Sequence, residues 1–149
     1  MIKLGRLAFL KNDNVGPKKL VIKIPSETKH IKKVSEKVIG SVSSYGPDEG
    51  TVFDIKLCIE EAVRNAIVHG NHSEKNKAVV VTTWVDAGKV FIAVEDEGEG
   101  YDHTAVPDPT AEHNMLRNSG RGVYLIKKLM DEVTFNARGN GITMGKKLK

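Results

Sequence analysis

Three polar side chains, Glu61, Asn65 and His69, recur every four residues in a stretch with the hydrophobic pattern of a helix. Residues four apart share one face of a helix, so a carboxylate, an amide and an imidazole would project in the same direction. Most helices turn one polar side to water, which makes a solvated face one interpretation. The other is the wall of a site, because this polar stripe runs beside an apolar one that consists of Ile55, Ile59, Ala62 and Ala66.

A second candidate element is Asp96-x-Gly98-x-Gly100, which directly follows a predicted strand. Glycines at these positions allow positive φ angles and the close approach of a ligand. The carboxylate of Asp96 can accept a hydrogen bond from a donor such as an exocyclic amine. Aspartate and glycine are also common turn residues, so this motif alone does not establish a site.

The third element is Gly120-Arg121-Gly122, which leads into a run of residues with helical periodicity. Free N–H groups and the positive end of a helix dipole favour a phosphate at such a position. The segment is not a P-loop, because no Gly-Lys-Ser/Thr follows, and it is not a dinucleotide-binding fingerprint. Residues 101–119 before it show no clear period, and a loop of about twenty residues in a compact domain is most often a lid or a binding loop.

The hydrophobic pattern predicts the elements that must position these residues. Helices are predicted at 28–45, at 54–70 behind a Thr51–Asp54 capping box, and from 123 to about 130. Strands are predicted at 19–24, 78–85, 89–95, 133–137 and 142–148. Helices and strands do not alternate regularly. We therefore expect an α+β fold, a two-layer α/β sandwich in which three helices cover one face of a mostly antiparallel mixed sheet.

Two further expectations concern chain organisation. Residues 1–17 are interpreted as an N-terminal arm, because turn chemistry at residues 12–17 separates them from the rest, and residues 18–149 are interpreted as one domain. Gly70 is expected to end the central helix in the left-handed conformation that glycine adopts easily.

Composition narrows the classes of function. The chain has 149 residues, of which 40% are hydrophobic and 28% charged, as expected of a globular domain. A net charge of +4 is too diffuse, and 5% aromatic residues are too few, to argue for direct nucleic-acid binding. The single cysteine, Cys58, excludes an internal disulfide and favours a cytoplasmic location. No apolar segment approaches the roughly twenty residues that span a bilayer, so no membrane association is expected.

Taken together, the motifs resemble those of the GHKL ATPase superfamily, and within it the small bacterial anti-sigma-factor serine kinases. The resemblance covers nearly the whole chain after about Lys18, and the segments 61–70 and 119–131 are especially similar to that family's pattern. It rests on the chain order of Glu61-x-x-x-Asn65, Asp96-x-Gly98-x-Gly100, a long loop, Gly120-x-Gly122 and Gly141-x-Thr143.

The resemblance implies the GHKL fold, ATP as the ligand and Mg²⁺ as the metal. Asn65 would bind the ion that bridges the nucleotide phosphates, which suits a metal that keeps most of its waters. Glu61 would be the general base for the attacking hydroxyl. His69 has either a ligand contact or a structural role near the helix end. Glu60, off this face, is interpreted as a solvent residue.

The remaining implied roles concern the nucleotide. Asp96 would accept from the adenine amino group, Gly98 and Gly100 would let the base fit, and Thr143 would support the same end of the pocket. Gly120 and Gly122 would let the lid close over the phosphates. The full set of implied nucleotide-binding residues is Asn65, His69, Asp96, Gly98, Gly100, Ser119, Gly120, Arg121, Gly122 and Thr143.

The resemblance also implies a function and partners. The protein would be an anti-sigma factor that forms homodimers, binds a sigma factor and phosphorylates a serine of an anti-sigma-factor antagonist of the STAS type. One alternative is an ATP-responsive binding module without phosphoryl transfer. Another is the ATPase domain of a histidine kinase. The short chain, with one predicted helix and a lone His30 before the site, favours the anti-sigma class.

Overall fold

A computed structural model describes residues 16–100 and 118–149, with side chains from residue 121 onward in the second range. The described residues form five strands and three α-helices. The strands are β1 (Leu20–Pro25), β2 (Ala78–Asp86), β3 (Lys89–Glu95), β4 (Glu132–Phe135) and β5 (Gly141–Lys147). The helices are α1 (Ile31–Val42), α2 (Glu49–Asn65) and α3 (Asn118–Leu129).

The strands pair in the order β1-β2-β3-β5-β4, and every neighbouring pair is antiparallel. The α+β prediction is confirmed, but the sheet of the described residues is antiparallel throughout rather than mixed. Tight connections account for two of the pairs. In the β2–β3 hairpin, Ala87 and Gly88 have φ angles of 52° and 80°, as the two-residue turn that suits twisted antiparallel strands requires.

One layer of apolar side chains joins the sheet to the helices. Alternate residues of the central strands are buried, because successive side chains of a strand point to opposite faces. Their partners on α1 and α2 recur at three- and four-residue steps. The fully buried side chains of this core include Val34, Val38, Ile55, Ile59, Val79, Val81, Ile92 and Met144. The helices therefore cover one face of the sheet, as predicted.

The start of α2 differs from the predicted capping box. The helix begins at Glu49, and the carboxylate of Asp48 caps it by accepting a hydrogen bond from the N–H of Thr51 at 2.8 Å. Thr51 thus supplies a backbone donor in the first turn rather than the cap itself. This hydrogen bond to the charged carboxylate lowers the pKa of Asp48.

The end of α2 also differs from expectation. The helix widens into a single π-helical turn over Ala66–Gly70, a feature often found at functional sites. Gly70 closes this turn without a positive φ angle. It has to be glycine for a different reason, because a Cβ atom on Gly70 would overlap the carboxylate of Asp96.

Two predictions fall on parts of the chain that the structure does not describe. Residues 1–15 of the predicted N-terminal arm and residues 101–117 of the predicted lid lie outside the described residues. Within the described ranges, no helix combines the length and the apolar character that a membrane span needs.

Candidate functional site

A cavity of about 300 Å³ opens between the helix layer and one end of the sheet. Its walls come from α2 with its π-helical turn, from α3, from the loop after β3 and from the β4–β5 hairpin. A volume of this size is at the lower end of the range for small-molecule sites. Its polar lining includes Asn65, His69, Asp96 and Asn140, and its apolar lining includes Val94, Phe135 and Ile142.

One end of the site is formed where α2 and α3 come close together. Gly122 of α3 is buried, and a Cβ atom there would lie 2.8 Å from Glu61 Oε2 and 2.9 Å from Asn65 Nδ2. Only a residue without a side chain lets the two polar groups of α2 occupy their present positions. Asn65 lines the cavity, whereas Glu61 stands beside it with 27% of its side chain exposed.

The polar stripe of α2 is thus partly a site wall. Asn65 and His69 both line the cavity, although His69 is largely exposed. The carboxylate of Glu61 lies 3.5 Å from the guanidinium of Arg64, one helical turn further on. Glu60 is not simply a solvent residue, because Oε2 of its carboxylate accepts a hydrogen bond from the buried Ser35 of α1 at 3.0 Å.

Asp96 and its loop form the other end. The Oδ1 atom of Asp96 accepts a hydrogen bond from the N–H of Gly98 at 2.7 Å, and the side chain lines the cavity. Gly98 packs against the backbone carbonyl of Gly70, where a Cβ would overlap it, so this glycine serves a backbone contact and does not line the cavity. Gly100 does line it, with a φ angle of 80°, and a Cβ atom added there would overlap the backbone carbonyl of Arg138.

Thr143 is not part of the cavity, which corrects the sequence-based assignment. On β5 it pairs with Ala93 and with Thr134, and all three line a neighbouring groove but not the cavity itself. Ile142, one residue earlier, lines the cavity instead. The physical reason is the two-residue alternation of a strand, which makes a one-residue error exchange the two faces.

The glycine element before the third predicted helix lies inside it. Among the described residues α3 spans Asn118–Leu129, so it contains Ser119, Gly120, Arg121 and Gly122. The side chain of Arg121 is exposed, and Gly122 is the member of this element that contacts the polar residues of α2.

Sequence reasoning missed the asparagines that hold the Asp96 loop. Asn71 is 0% exposed, and its Oδ1 atom accepts a hydrogen bond from the N–H of Glu97 at 2.8 Å. Asn140 is 8% exposed, and its Nδ2 atom donates to the carbonyl of Asp96 at 2.7 Å. Both asparagines neighbour a glycine of the motif segments, which in the sequence reads as ordinary turn composition.

The residues present fit a nucleotide with a bound magnesium ion. Asp96 offers an acceptor to an amine at one end, Val94 and Ile142 offer apolar surface to a ring, and the Asn65 amide offers a hard oxygen at the other end. Within the described ranges no group of three or more histidine, cysteine, aspartate or glutamate residues could hold a metal ion. A magnesium ion that shares its coordination with phosphates and water needs only one or two protein oxygens.

Comparisons with known proteins find similar sequences. Over 137 residues, 86% of each chain, the protein is 28% identical to the serine-protein kinase RsbW of Staphylococcus aureus (strain bovine RF122 / ET3-1). It is 27% identical over the same length to the RsbW of strain MSSA476.

A solved structure supports the fold. The chain superposes with a TM-score of 0.60 and 20% identity on the crystal structure of the RsbU and RsbW domains of Rv1364c from Mycobacterium tuberculosis. The match covers 87% of this chain and 31% of that one. Residues 24–146 match the family described as the histidine kinase-like ATPase domain. Because this match spans most of the chain, the protein belongs to the histidine kinase-like ATPase family, which confirms the GHKL assignment.

Proposed function

We propose that this protein is an ATP-dependent protein serine kinase and anti-sigma factor, which transfers the γ-phosphoryl group of ATP to a serine of an antagonist protein. The observation that carries the proposal is the arrangement of one cavity. The carboxylate of Asp96 lies at one end, and Asn65 with the adjacent Glu61 lies at the other, against Gly122. The similarity to proteins named serine-protein kinase supports the same activity.

At the adenine end of the cavity, Asp96 would accept a hydrogen bond from the adenine 6-amino group. Its Oδ1 atom already accepts from the N–H of Gly98, which orients the carboxylate. Val94 and Ile142 would cover the faces of the ring with apolar surface. An acceptor at this position would favour adenine over a purine with a carbonyl group at the same carbon.

At the phosphate end, Asn65 would supply the protein oxygen for Mg²⁺. A bound Mg²⁺ ion neutralises phosphate charge and so lowers the barrier to phosphoryl transfer. The segment of α3 that carries Gly122 would lie beside the phosphates, because Gly122 packs against Asn65. Phosphoryl transfer depends mainly on such charge neutralisation and on positioning.

Glu61 would act as the general base. In the transfer step the serine Oγ attacks the γ-phosphorus, an O–P bond forms, the bond from that phosphorus to the ADP oxygen breaks, and the serine proton passes to the Glu61 carboxylate. The guanidinium of Arg64 lies 3.5 Å from this carboxylate. The exposed quarter of the side chain leaves it open to an incoming protein.

The proposal extends to partners and location. We propose that the protein binds a sigma factor, that the unphosphorylated STAS-type antagonist competes for it, and that it acts as a homodimer in the cytoplasm. The buried, unpaired Cys58 agrees with a reducing compartment.

The test measures phosphoryl transfer by the wild-type protein and by variants of two neighbouring glutamates, Glu61 and Glu60. The purified protein is mixed with Mg-ATP and the STAS proteins of its host, and phosphoserine is measured by mass. Glu61→Gln should slow transfer by roughly 100- to 10,000-fold, as expected when a general base is lost, with ATP affinity retained. Glu60→Gln is the matched control, since Glu60 bonds to Ser35 and not to the site, and it should transfer at nearly the normal rate.

Two results would contradict the proposal in different ways. Undiminished transfer by Glu61→Gln would remove Glu61 from the base role. A partner that the wild-type protein captures in the presence of ATP, with no gain in mass, would instead establish a binding module without phosphoryl transfer.

A further inference from the structure

We infer that Asn71 and Asn140 are positioning residues that form a clamp around Asp96, and that the preference for adenine depends on this clamp. The inference rests on the proposed function, because it assigns a purpose to the way Asp96 is held. Neither amide needs to touch the base. The two side chains act through the backbone of the loop that carries the carboxylate.

Asn140 holds both polar backbone groups of Asp96 itself. The N–H of Asp96 donates to the carbonyl oxygen of Asn140 at 3.0 Å. The carbonyl of Asp96 accepts from Asn140 Nδ2 at 2.7 Å. One residue of the β4–β5 hairpin therefore fixes the peptide groups on both sides of the Asp96 Cα atom, and with them the direction of its side chain.

Asn71 holds the next backbone group. Its Oδ1 atom accepts from the N–H of Glu97 at 2.8 Å, while its Nδ2 atom donates to Ser26 Oγ at 2.9 Å and to the Ala78 carbonyl at 3.0 Å. These partners sit at the end of β1 and the start of β2. The amide thus anchors the loop to the rigid sheet from the side opposite the β4–β5 hairpin.

The clamp is itself held in place. Asn136 Oδ1 accepts from the N–H groups of Gly139, Asn140 and Gly141 at 2.7, 3.1 and 3.2 Å, which organises the hairpin turn. Asn136 Nδ2 also donates to Asn140 Oδ1 at 2.9 Å, which sets the orientation of that amide. Such support is what a site needs when a recognition group must be held within a fraction of an ångström.

The two asparagines use opposite chemistry toward the loop, and this makes the inference testable. Asn140 donates to it through its side chain, whereas Asn71 accepts from it. Asn71→Asp keeps the accepting oxygen and loses the donation to Ser26 and Ala78. It should lower thermal stability and leave base recognition intact. Asn71→Ala and Asn140→Ala each remove the side-chain hydrogen bond to the loop, while the backbone hydrogen bond from the Asp96 N–H to the Asn140 carbonyl is kept.

The experiment measures the dissociation constants of ATP and of purine riboside triphosphate, which has hydrogen in place of the 6-amino group. For Asn140→Ala and Asn71→Ala we expect the dissociation constant of ATP to rise about tenfold, as the loss of one well-placed hydrogen bond would give. The dissociation constant of the analogue should change by less than about twofold, so the preference for ATP over the analogue falls. Asn71→Asp should keep the preference, and exposed Asn76→Ala is the control that should change neither constant.

The outcomes separate the inference from the function on which it rests. If the wild-type protein does not bind ATP, or if Asp96→Ala leaves the preference unchanged, the proposed function is wrong at this end of the site. If Asp96→Ala abolishes the preference but Asn140→Ala or Asn71→Ala keeps it, the clamp is wrong and the function stands. The clamp would also be wrong if the preference for ATP over the analogue fell in proportion to the loss of thermal stability in every variant, Asn71→Asp included. Should one alanine variant not fold, the other and Asn71→Asp decide.

Discussion

Replacement of Gly122 by alanine should impair phosphoryl transfer much more than folding. The new Cβ atom would lie 2.8 Å from Glu61 Oε2 and 2.9 Å from Asn65 Nδ2. Non-bonded heavy atoms prefer about 3.5–4.0 Å, so both side-chain ends must retreat by roughly 0.5–1 Å. A misplacement of about 1 Å can cost about 100-fold in rate. We therefore expect the transfer rate to fall by about 10- to 100-fold.

Folding should be nearly unaffected by the same change. Both crowded atoms are the ends of flexible side chains, and alanine is favoured over glycine within a helix by about 1 kcal/mol. The free energy of unfolding should consequently change by less than about 1 kcal/mol. Urea denaturation measures this quantity, and single-turnover transfer at saturating Mg-ATP measures the rate. Because Asn65 is displaced, the gain in ATP affinity on addition of Mg²⁺ should also shrink.

Gly40→Ala is the matched control. Gly40 lies in α1, is exposed, and has no atom near the position of an added Cβ. The substitution should stabilise the protein by about 0.5–1 kcal/mol and leave transfer unchanged. If Gly122→Ala transferred phosphate at the wild-type rate with a normal response to Mg²⁺, the reasoning that places catalysis at the α2–α3 contact would be refuted.

Two predictions concern titratable groups elsewhere. Burial raises the pKa of the Cys58 thiol to about 12. At pH 8 the native thiol should therefore carry roughly 1,000-fold less thiolate than an unfolded cysteine. Iodoacetamide should label Cys58 only in denaturant. Rapid labelling of the native protein would contradict the burial. Because the pKa of Asp48 is lower in the folded state than its ordinary value of 3.8, its stabilising effect is complete above about pH 4 and is lost as the pH falls through the lowered value. Asp48→Asn keeps a capping oxygen that does not titrate, so its urea midpoint should fall less on acidification than that of the wild type, and identical acid profiles would show that the cap does not matter.

The order and type of the elements were readable from the chain because they depend on local patterns. The β2–β3 hairpin was predicted within a residue, since Asp86-Ala87-Gly88 has turn chemistry and the flanking residues alternate. The helical turns and α1 together span residues 28–45, as the spacing of Ile31, Val34 and Val38 predicted. Local errors arose at boundaries, because Asp48 caps α2 and because α3 already includes Asn118, before its predicted start at residue 123.

The misassignment of Thr143 has a different origin. A motif states which residues are near one another in sequence, but the face on which a strand residue points depends on the pairing register with its neighbours. On β5 that register places Ile142 toward the helices and Thr143 away from them. The motif does not reveal an offset of one residue, but such an offset moves the side chain to the opposite face of the sheet.

The amino-acid sequence by itself determined the class of fold, the family and the polar stripe of α2, because periodicity and motif spacing are properties of neighbouring residues. Only the tertiary structure decided that Gly122 of α3 packs against Glu61 and Asn65. It also decided that the side chains of Asn71 and Asn140 form hydrogen bonds to the Asp96 loop from two sides. Those contacts join residues up to 61 positions apart (Glu61 and Gly122). They exist only because the packing of helices on the sheet brings the segments together, and no local pattern encodes such a distance.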